Sequence, residues 1–295
     1  MVLVVVLSVD YASILIVNGD MVEELTEVLG LRRGDRVAII GSGGKTTLLK
    51  SMAACREWGV VLTTTTHLAP PAVLGNVSRK SFAVATAGPK RQGVTPVDYD
   101  AVFVNFTDLP SFMRRYSCIG QSVAILTGRY TTRDTRIGSL TPDEVDSIAA
   151  HPEIGLVAVE ADGSRRLPVK MHAQHEPVLF SSCNFGIAVL GMRAWGRTLC
   201  EEQVFRPTLL QEYLGVEPEH RLTLPDLAKV AENYLEHLPT ERRALVLSQS
   251  DLIPINYVSK LANLVLRRYR QSSRAGHEIR VVAQTHEGLL LMSAS

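Results

Sequence analysis

Hydrophobic positions from Met21 onwards follow two alternating patterns. Continuous apolar runs are typical of strands buried on both faces of a sheet, and they occur at residues 37–40, 60–66, 101–105, 122–126, 156–160, 186–190, 244–247 and 279–283. Segments with helical spacing lie between them, at residues 22–29, 45–58, 142–150, 206–214, 224–237 and 255–270. This alternation predicts an α/β fold with three layers, in which a mostly parallel sheet is flanked by helices.

Two segments differ from this pattern. Residues 1–17 are apolar and rich in β-branched side chains, but Asp10 and the lack of a preceding positive charge fit neither a spanning helix nor a signal peptide. Residues 1–20 are therefore either an N-terminal extension that the fold does not need or an extra edge strand. Residues 69–95 are rich in Pro, Gly and Ser and predict a loop or insertion. We expect residues 21–295 to form one principal domain, in which residues 190–295 either complete the sheet or form a C-terminal lobe.

Composition and charge exclude several classes of partner. The chain has 295 residues, 46% of them hydrophobic, and a formal net charge of +1. It can bury a full core, and it has no global field that would draw it to nucleic acid or to an anionic membrane. Its four cysteines are far apart and form no C-x-x-C pair, which favours a reducing compartment over a disulfide scaffold. We expect a cytoplasmic protein without nucleic-acid or membrane partners.

The segment GSGGKTT follows the predicted strand 37–40 and opens the predicted helix 45–58. Glycines let backbone amides wrap around phosphate groups, and a helix start adds a favourable dipole. Lys45 would reach the β- and γ-phosphates and Thr46 would offer its hydroxyl to Mg²⁺. We predict a P-loop-like fold that binds Mg²⁺ and ATP or GTP through residues Gly41, Ser42, Gly43, Gly44, Lys45, Thr46 and Thr47. The alternative is a tight turn with a solvated lysine. Ile39 stands where the usual eight-residue loop has its first glycine, so the shorter loop resembles that of the Mur-type ligases.

Acidic residues follow the predicted strand 156–160. Glu160 and Asp162 stand where a Walker-B-like acid contacts Mg²⁺, and with Lys45 they are the candidate catalytic residues. If the strand continued, the two carboxylates would point to opposite faces, so we expect one near the metal and the other orienting a loop or a water. The alternative is a strand end closed by an Asp-Gly turn. Three cations follow, and they would hold phosphates or an anionic second substrate, or else form a solvated face: Arg165, Arg166 and Lys170.

Other strand ends carry further candidates. The strand 60–66 runs into Thr65 and His67, which would face phosphate or substrate unless the threonines only reflect strand propensity. The strand 244–247 is followed by Asp251, which would accept hydrogen bonds from the edge of a guanine base. Because Ser248 and Gln249 stand before Asp251, adenine remains an alternative base. His172, His175 and Glu176 have a spacing compatible with a transition-metal site, although Pro177 argues against a helix there.

Taken together, the segments GSGGKTT, TTTTH, EADGSRRLPVK, HEPV and VFRP resemble the YqeC-like family, accessory proteins of selenium-dependent molybdenum hydroxylases. The likeness spans residues 21–270 in order. The residues that fall on its motifs are Gly41, Gly44, Lys45, Thr46, Thr47, Thr65, His67, Glu160, Asp162, Gly163, Arg165, Lys170, His175 and Glu176. Arg206 also matches, whereas Phe205 stands where many members carry His.

The resemblance implies a protein that matures or inserts the selenium-containing molybdenum cofactor, with that cofactor or a molybdenum hydroxylase as its partner. The sequence favours a nucleoside triphosphatase or a phosphoryl- or nucleotidyl-transfer protein, in which Lys45, Arg165, Arg166, Lys170, His175 and Arg206 contact the anionic groups. Two alternatives stay open: an ATP-dependent ligase like the Mur enzymes, and a carrier of cofactor that is switched by nucleotide binding without hydrolysis.

Overall fold

The structure is a computed structural model that describes residues 7–9, 12–16, 25–68, 82–85, 101–115, 124–129, 136–272, 277–286 and 288–294. Its strands in chain order are β1 (Leu7–Val9), β2 (Ala12–Ile16), β3 (Asp35–Gly41), β4 (Val60–Thr64), β5 (Phe82–Ala85), β6 (Ala101–Asn105), β7 (Ala124–Gly128), β8 (Leu156–Glu160), β9 (Val169–Lys170), β10 (Phe185–Gly191), β11 (Val204–Phe205), β12 (Arg242–Ser248), β13 (Glu278–Gln284) and β14 (Leu289–Ala294). The α-helices are α1 (Lys45–Ser51), α2 (Leu109–Arg115), α3 (Pro142–Ala149), α4 (Pro207–Leu214), α5 (Leu224–Glu236) and α6 (Ile255–Gln271).

Twelve of these strands form one sheet in the order β1-β2-β14-β13-β12-β10-β3-β8-β4-β7-β6-β5. All pairings from β13 to β5 are parallel, whereas β14, β2 and β1 add antiparallel strands at the other edge. The short strands β9 and β11 pair separately. Parallel strands direct their carboxyl ends to one edge of the sheet, so the loops after β3, β8, β10 and β12 meet there.

The central strand β3 is buried on both faces because its side chains alternate between two hydrophobic cores. Ala38 and Ile40 face the core that contains α5 and α6, and Val37 and Ile39 face the core that contains Leu48 and other residues of α1. The sheet therefore lies between two helical layers, which confirms the predicted three-layer α/β fold.

Most predicted elements are present, with shifts of one or two residues at their ends. The predicted helix 45–58 is α-helical only to Ser51 and continues as a 3₁₀ helix, Met52–Trp58, which ends at the left-handed Gly59. Helices α3 and α5 each begin with a threonine capping box, at Thr141 and Thr223, and these caps satisfy amides that the first turn leaves free. Of the predicted helix 22–29, residues 25–27 are helical and residues 22–24 lie outside the described part.

Three parts of the chain were left open by the sequence or predicted differently. The predicted loop 69–95 contains β5, and its remaining residues lie outside the described part. Of the two alternatives for residues 190–295, completion of the sheet is the one observed, because β12, β13 and β14 belong to the main sheet; β14 had no predicted counterpart. Residues 7–9 and 12–16 are strands at the sheet edge, while the prediction that residues 1–20 are dispensable stays a prediction.

No helix within the described ranges is long and apolar enough to cross a membrane.

Candidate functional site

The glycine-rich turn after β3 adopts a backbone that only glycine tolerates. Gly41 and Gly43 have φ angles of 92° and 90°. A Cβ atom on Gly41 would lie 2.2 Å from the Val189 carbonyl oxygen, and one on Gly43 would lie 2.7 Å from Gly191 Cα. The turn is thus packed directly against the end of β10.

The amides of this turn are the main candidates for ligand binding. The Gly41 N–H donates to Asp162 Oδ2 at 2.8 Å and the Ser42 N–H donates to the Val189 carbonyl at 2.7 Å. The N–H groups of residues 43–47 donate to no oxygen of the described residues, and no side chain caps α1. A row of free N–H groups at the start of a helix is an anion-binding arrangement.

The Lys45 side chain lies inside this turn. It is only 3% exposed, and its Nζ donates to the Gly41 carbonyl at 2.6 Å and to Ser164 Oγ at 3.2 Å. The same Nζ lies 3.1 Å from Asp162 Oδ1 and 3.8 Å from Glu160 Oε1. Lys45 is therefore a buried cation between the amides and two carboxylates.

Thr46 and Glu160 form the pair that best suits a magnesium ion. The Thr46 hydroxyl donates to Glu160 Oε2 at 2.9 Å. Burial raises the pKa of Glu160, and the opposing effects of Lys45 and Thr46 do not cancel it. In the described part of the chain, no group of three or more His, Cys, Asp or Glu side chains is arranged to bind a metal. One hydroxyl and one carboxylate fit Mg²⁺, which takes few protein ligands and completes its shell with phosphate and water.

Asp162 has a different role from Glu160. Its Oδ2 accepts the Gly41 amide, lies 2.6 Å from His172 Nε2 and 3.2 Å from Lys170 Nζ. Burial by itself would raise the pKa of Asp162, but Lys45, His172 and Lys170 outweigh it and hold the pKa below its ordinary value. Oδ2 is thus engaged by three groups, while Oδ1 forms the ion pair with Lys45 but no hydrogen bond within the described residues. Through Oδ2, Asp162 holds the turn at Gly41 in place.

The two carboxylates converge on one cation, which the alternation of a continuing strand would not allow. They do so because β8 ends at Glu160, so Asp162 belongs to the following turn.

A chain of alternating charges leads away from the turn. Lys170 is fully buried, and its Nζ contacts Asp162 and donates to Glu176 Oε2 at 2.9 Å and to the Gly163 carbonyl at 2.8 Å. Burial lowers the pKa of Lys170, against the opposing effect of the two carboxylates. Glu176 Oε2 also accepts a short hydrogen bond from Arg206 Nη1. We name Lys45, Asp162, Lys170, Glu176 and Arg206 the ion chain.

The far end of the ion chain reaches an aromatic ring at the surface. The guanidinium carbons of Arg206 and Arg165 lie 4.4 Å and 4.9 Å from the centre of the Phe205 ring. Arg165 and Arg166 are exposed and have left-handed φ angles of 50° and 63°, a conformation that is uncommon for bulky residues. The ion chain thus connects the turn at Gly41 with a cluster of arginines around Phe205.

Comparison with known proteins identifies the family. The sequence profile described as "YqeC protein" matches residues 37–208, which is more than half of the chain. The chain belongs to the YqeC family. A relative from Escherichia coli (strain K12), named "Uncharacterized protein YqeC", is 25% identical over 205 residues, which cover 68% of this chain and 69% of the relative. The resemblance inferred from the motifs is thereby confirmed as family membership.

In this YqeC protein the threonine run connects strands. The hydroxyls of Thr63, Thr64 and Thr65 donate to the carbonyls of Thr127, Glu160 and Val178, at 2.8, 2.8 and 2.7 Å. The Thr65 hydroxyl therefore faces a backbone oxygen rather than the turn.

The remaining predicted residues differ in their relation to the ion chain. His67 and His175 are exposed. Asp251 lies in a short 3₁₀ turn after β12, with Oδ2 3.5 Å from His286 Nδ1. His172 contacts Asp162 and packs edge-on against Tyr234, with ring centres 5.2 Å apart. His172 is thus part of the carboxylate network around the phosphate-binding turn.

Two residues contact the site in a way that the sequence did not predict. Tyr234 of α5 donates through its hydroxyl to the Lys170 carbonyl at 2.8 Å and accepts the Lys170 amide at 2.9 Å. Ser248 of β12 donates to the Gly43 carbonyl at 2.9 Å. Tyr234 belongs to no local motif. Ser248 belongs to the strand end that the sequence singled out for base recognition, not for a contact with the turn, and Ser164 follows the Asp-Gly turn that the sequence also singled out.

Proposed function

We propose that this YqeC protein binds a nucleoside triphosphate together with Mg²⁺ at residues 41–47. The observation that carries the proposal is the row of free amides at residues 43–47 beside the buried cation of Lys45. A buried cation among free N–H donors fits a ligand with several anionic oxygens.

Each residue of the turn then has a distinct task. Lys45 contacts the phosphate oxygens, while Thr46 and Glu160 hold the metal ion. Asp162 keeps the Gly41 amide and the rest of the turn in place. When bound, Mg²⁺ offsets negative charge on the phosphate oxygens, which suits a triphosphatase or a phosphoryl- or nucleotidyl-transfer protein.

Calorimetric titration with Mg-ATP and Mg-GTP tests the proposal. We expect Lys45→Ala to weaken binding on the order of 100-fold, because a hydrogen bond between charged groups contributes roughly 1.5–3 kcal/mol. Lys50→Ala is the matched control, since Lys50 lies in the same helix and carries the same charge; its affinity should match that of the wild type. Near-UV circular dichroism verifies that Lys45→Ala is folded. Equal affinities for the wild type and a folded Lys45→Ala variant would refute the site.

The arginines around Phe205 suit a second, anionic substrate. Arg206 ends the ion chain, Arg165 lies over the same Phe205 ring, and the exposed Arg166 follows Arg165 in the chain. Guanidinium groups bind carboxylates and phosphates in two-pronged geometry. Together with the family resemblance, this supports a role in the maturation of selenium-containing molybdenum hydroxylases, with the molybdenum cofactor or the hydroxylase as partner.

Two further functions make different predictions. The ion chain favours a carrier switched by nucleotide, because it links the turn to the surface arginines. Release of phosphate from Mg-ATP or Mg-GTP, measured with and without molybdenum cofactor, separates the cases. Turnover that the cofactor stimulates supports the transfer reaction, and tight binding without release supports the carrier. Release that requires an amino-acid acceptor would indicate a Mur-like ligase, although β10, β12, β13 and β14 complete the main sheet rather than a separate substrate domain.

A further inference from the structure

A cavity of about 460 Å³ lies beyond the carboxyl ends of β10 and β12. One wall follows β10 and the other follows β12. The lining residues are Arg193, Trp195, Gly196, Arg197, Leu252 and Ile253. Its volume lies within the range of about 300–1,000 Å³ that is typical of small-molecule sites.

Both walls start from residues that contact the phosphate-binding turn. Gly191, the last residue of β10, lies so close to Gly43 that a Cβ atom would clash with it, and Ser248, the last residue of β12, donates to the Gly43 carbonyl. Trp195 is four residues beyond Gly191, which limits its Cα to about 14 Å from that point. Both walls of the cavity therefore begin within a few residues of the turn.

The lining combines an aromatic ring with free cations. Trp195 packs on Tyr257 of α6, with ring centres 4.3 Å apart and an interplanar angle of 33°, so its position is fixed. Arg193 and Arg197 are exposed, and within the described ranges neither forms an ion pair or a side-chain hydrogen bond. Leu252 is 57% exposed. Such a surface suits a planar ring with hydrogen-bond acceptors on its edge.

We propose that this cavity holds the aromatic base of the nucleotide whose phosphates bind residues 41–47. The proposal rests on the proposed function and assigns the second half of the same ligand. Open parallel sheets bind ligands across the carboxyl ends of neighbouring strands, and β3, β10 and β12 are consecutive in the sheet. Asp251, the residue predicted to read the base, does not line the cavity but immediately precedes Leu252.

Tryptophan fluorescence tests the base site directly. The chain has two tryptophans, Trp58 and Trp195, so a Trp58→Phe variant reports on Trp195 alone. We expect Mg-ATP or Mg-GTP to change this fluorescence at saturation, whereas magnesium tripolyphosphate, which has no base, binds with a much smaller change.

Calorimetry on wall variants gives a second readout. Trp195→Ala and Leu252→Glu should weaken nucleotide binding at least about tenfold while leaving the affinity for tripolyphosphate unchanged, because they remove or block only the base site. Leu252→Glu should leave the fold intact, because the Leu252 side chain is largely exposed. Leu209→Glu changes another exposed leucine, on α4, and should bind nucleotide as the wild type does.

The outcomes separate the two proposals. Suppose that Leu252→Glu binds nucleotide and tripolyphosphate as tightly as the wild type does, and that nucleotide leaves the Trp195 fluorescence unchanged. This result would overturn the base site but would not contradict the phosphate site. If neither ligand binds the wild-type protein, the proposed function and the base site fall together.

Discussion

Asp162 provides the sharpest test of how the glycine-rich turn at residues 41–44 is held. The side chain is fully buried and contacts the Gly41 amide, His172, Lys170 and Lys45. Asp162→Asn preserves its size but removes the charge, so two buried lysines lose their shared partner. Breaking a buried ion pair costs about 3–5 kcal/mol, which is a large part of a total stability of about 5–15 kcal/mol. We expect a fall in Tm on the order of 10 °C.

Urea unfolding followed by circular dichroism measures this loss. Asp143→Asn is the control, because Asp143 is an exposed carboxylate in the first turn of α3 and its loss should cost about 1 kcal/mol or less. The pH dependence gives a second check. The folded-state pKa of Asp162 is lowered, so its contribution is present above the ordinary value of about 3.9 and is lost as the pH falls below it. The difference between wild type and Asp162→Asn should therefore shrink in acid. A loss as small as that of Asp143→Asn would show that Asp162 does not hold the turn.

Two further changes test the pair of Thr46 and Glu160 and the glycine-rich turn. Burial raises the folded-state pKa of Glu160, so the contribution of Glu160 to stability is full below about pH 4.3 and is lost as the pH rises through the folded pKa. In urea titrations, Glu160→Gln should therefore gain stability relative to the wild type as the pH rises. The same variant should lose Mg²⁺-dependent nucleotide binding. A variant that falls behind the wild type at higher pH would contradict this reasoning. Gly41→Ala places a Cβ against the Val189 carbonyl at a left-handed φ and should cost on the order of 3 kcal/mol in thermal unfolding. Gly163→Ala, where a Cβ meets open space, should cost about 1 kcal/mol or less, and equal losses would argue against a close-packed turn.

The elements of the central sheet were predictable because their signal is local. A few adjacent residues are enough to predict an apolar strand such as β8 or the glycine turn after β3. Both lie where the sequence predicts them. The edge strand β5 was missed because its surroundings are rich in Pro and Gly, and a short strand gains its stability from pairing with β6 rather than from its own composition.

The sequence predicts that the two acids have different roles, but which acid has which role could not be read from it. Glu160 and Asp162 are equivalent by residue type and spacing, but the end of β8 places one beside Thr46 and the other beneath Gly41, 121 positions away in the sequence. Tyr234 likewise meets Lys170 across 64 positions.

By itself, then, the amino-acid sequence determined the chemistry of the turn and the alternation of strands and helices, since both depend on neighbouring residues. Only the tertiary structure decided which strand ends lie side by side and which buried charges share a partner. Sheet order and burial arise from contacts between distant segments. They determine that cations surround Asp162 and lower its pKa, whereas burial raises the pKa of Glu160.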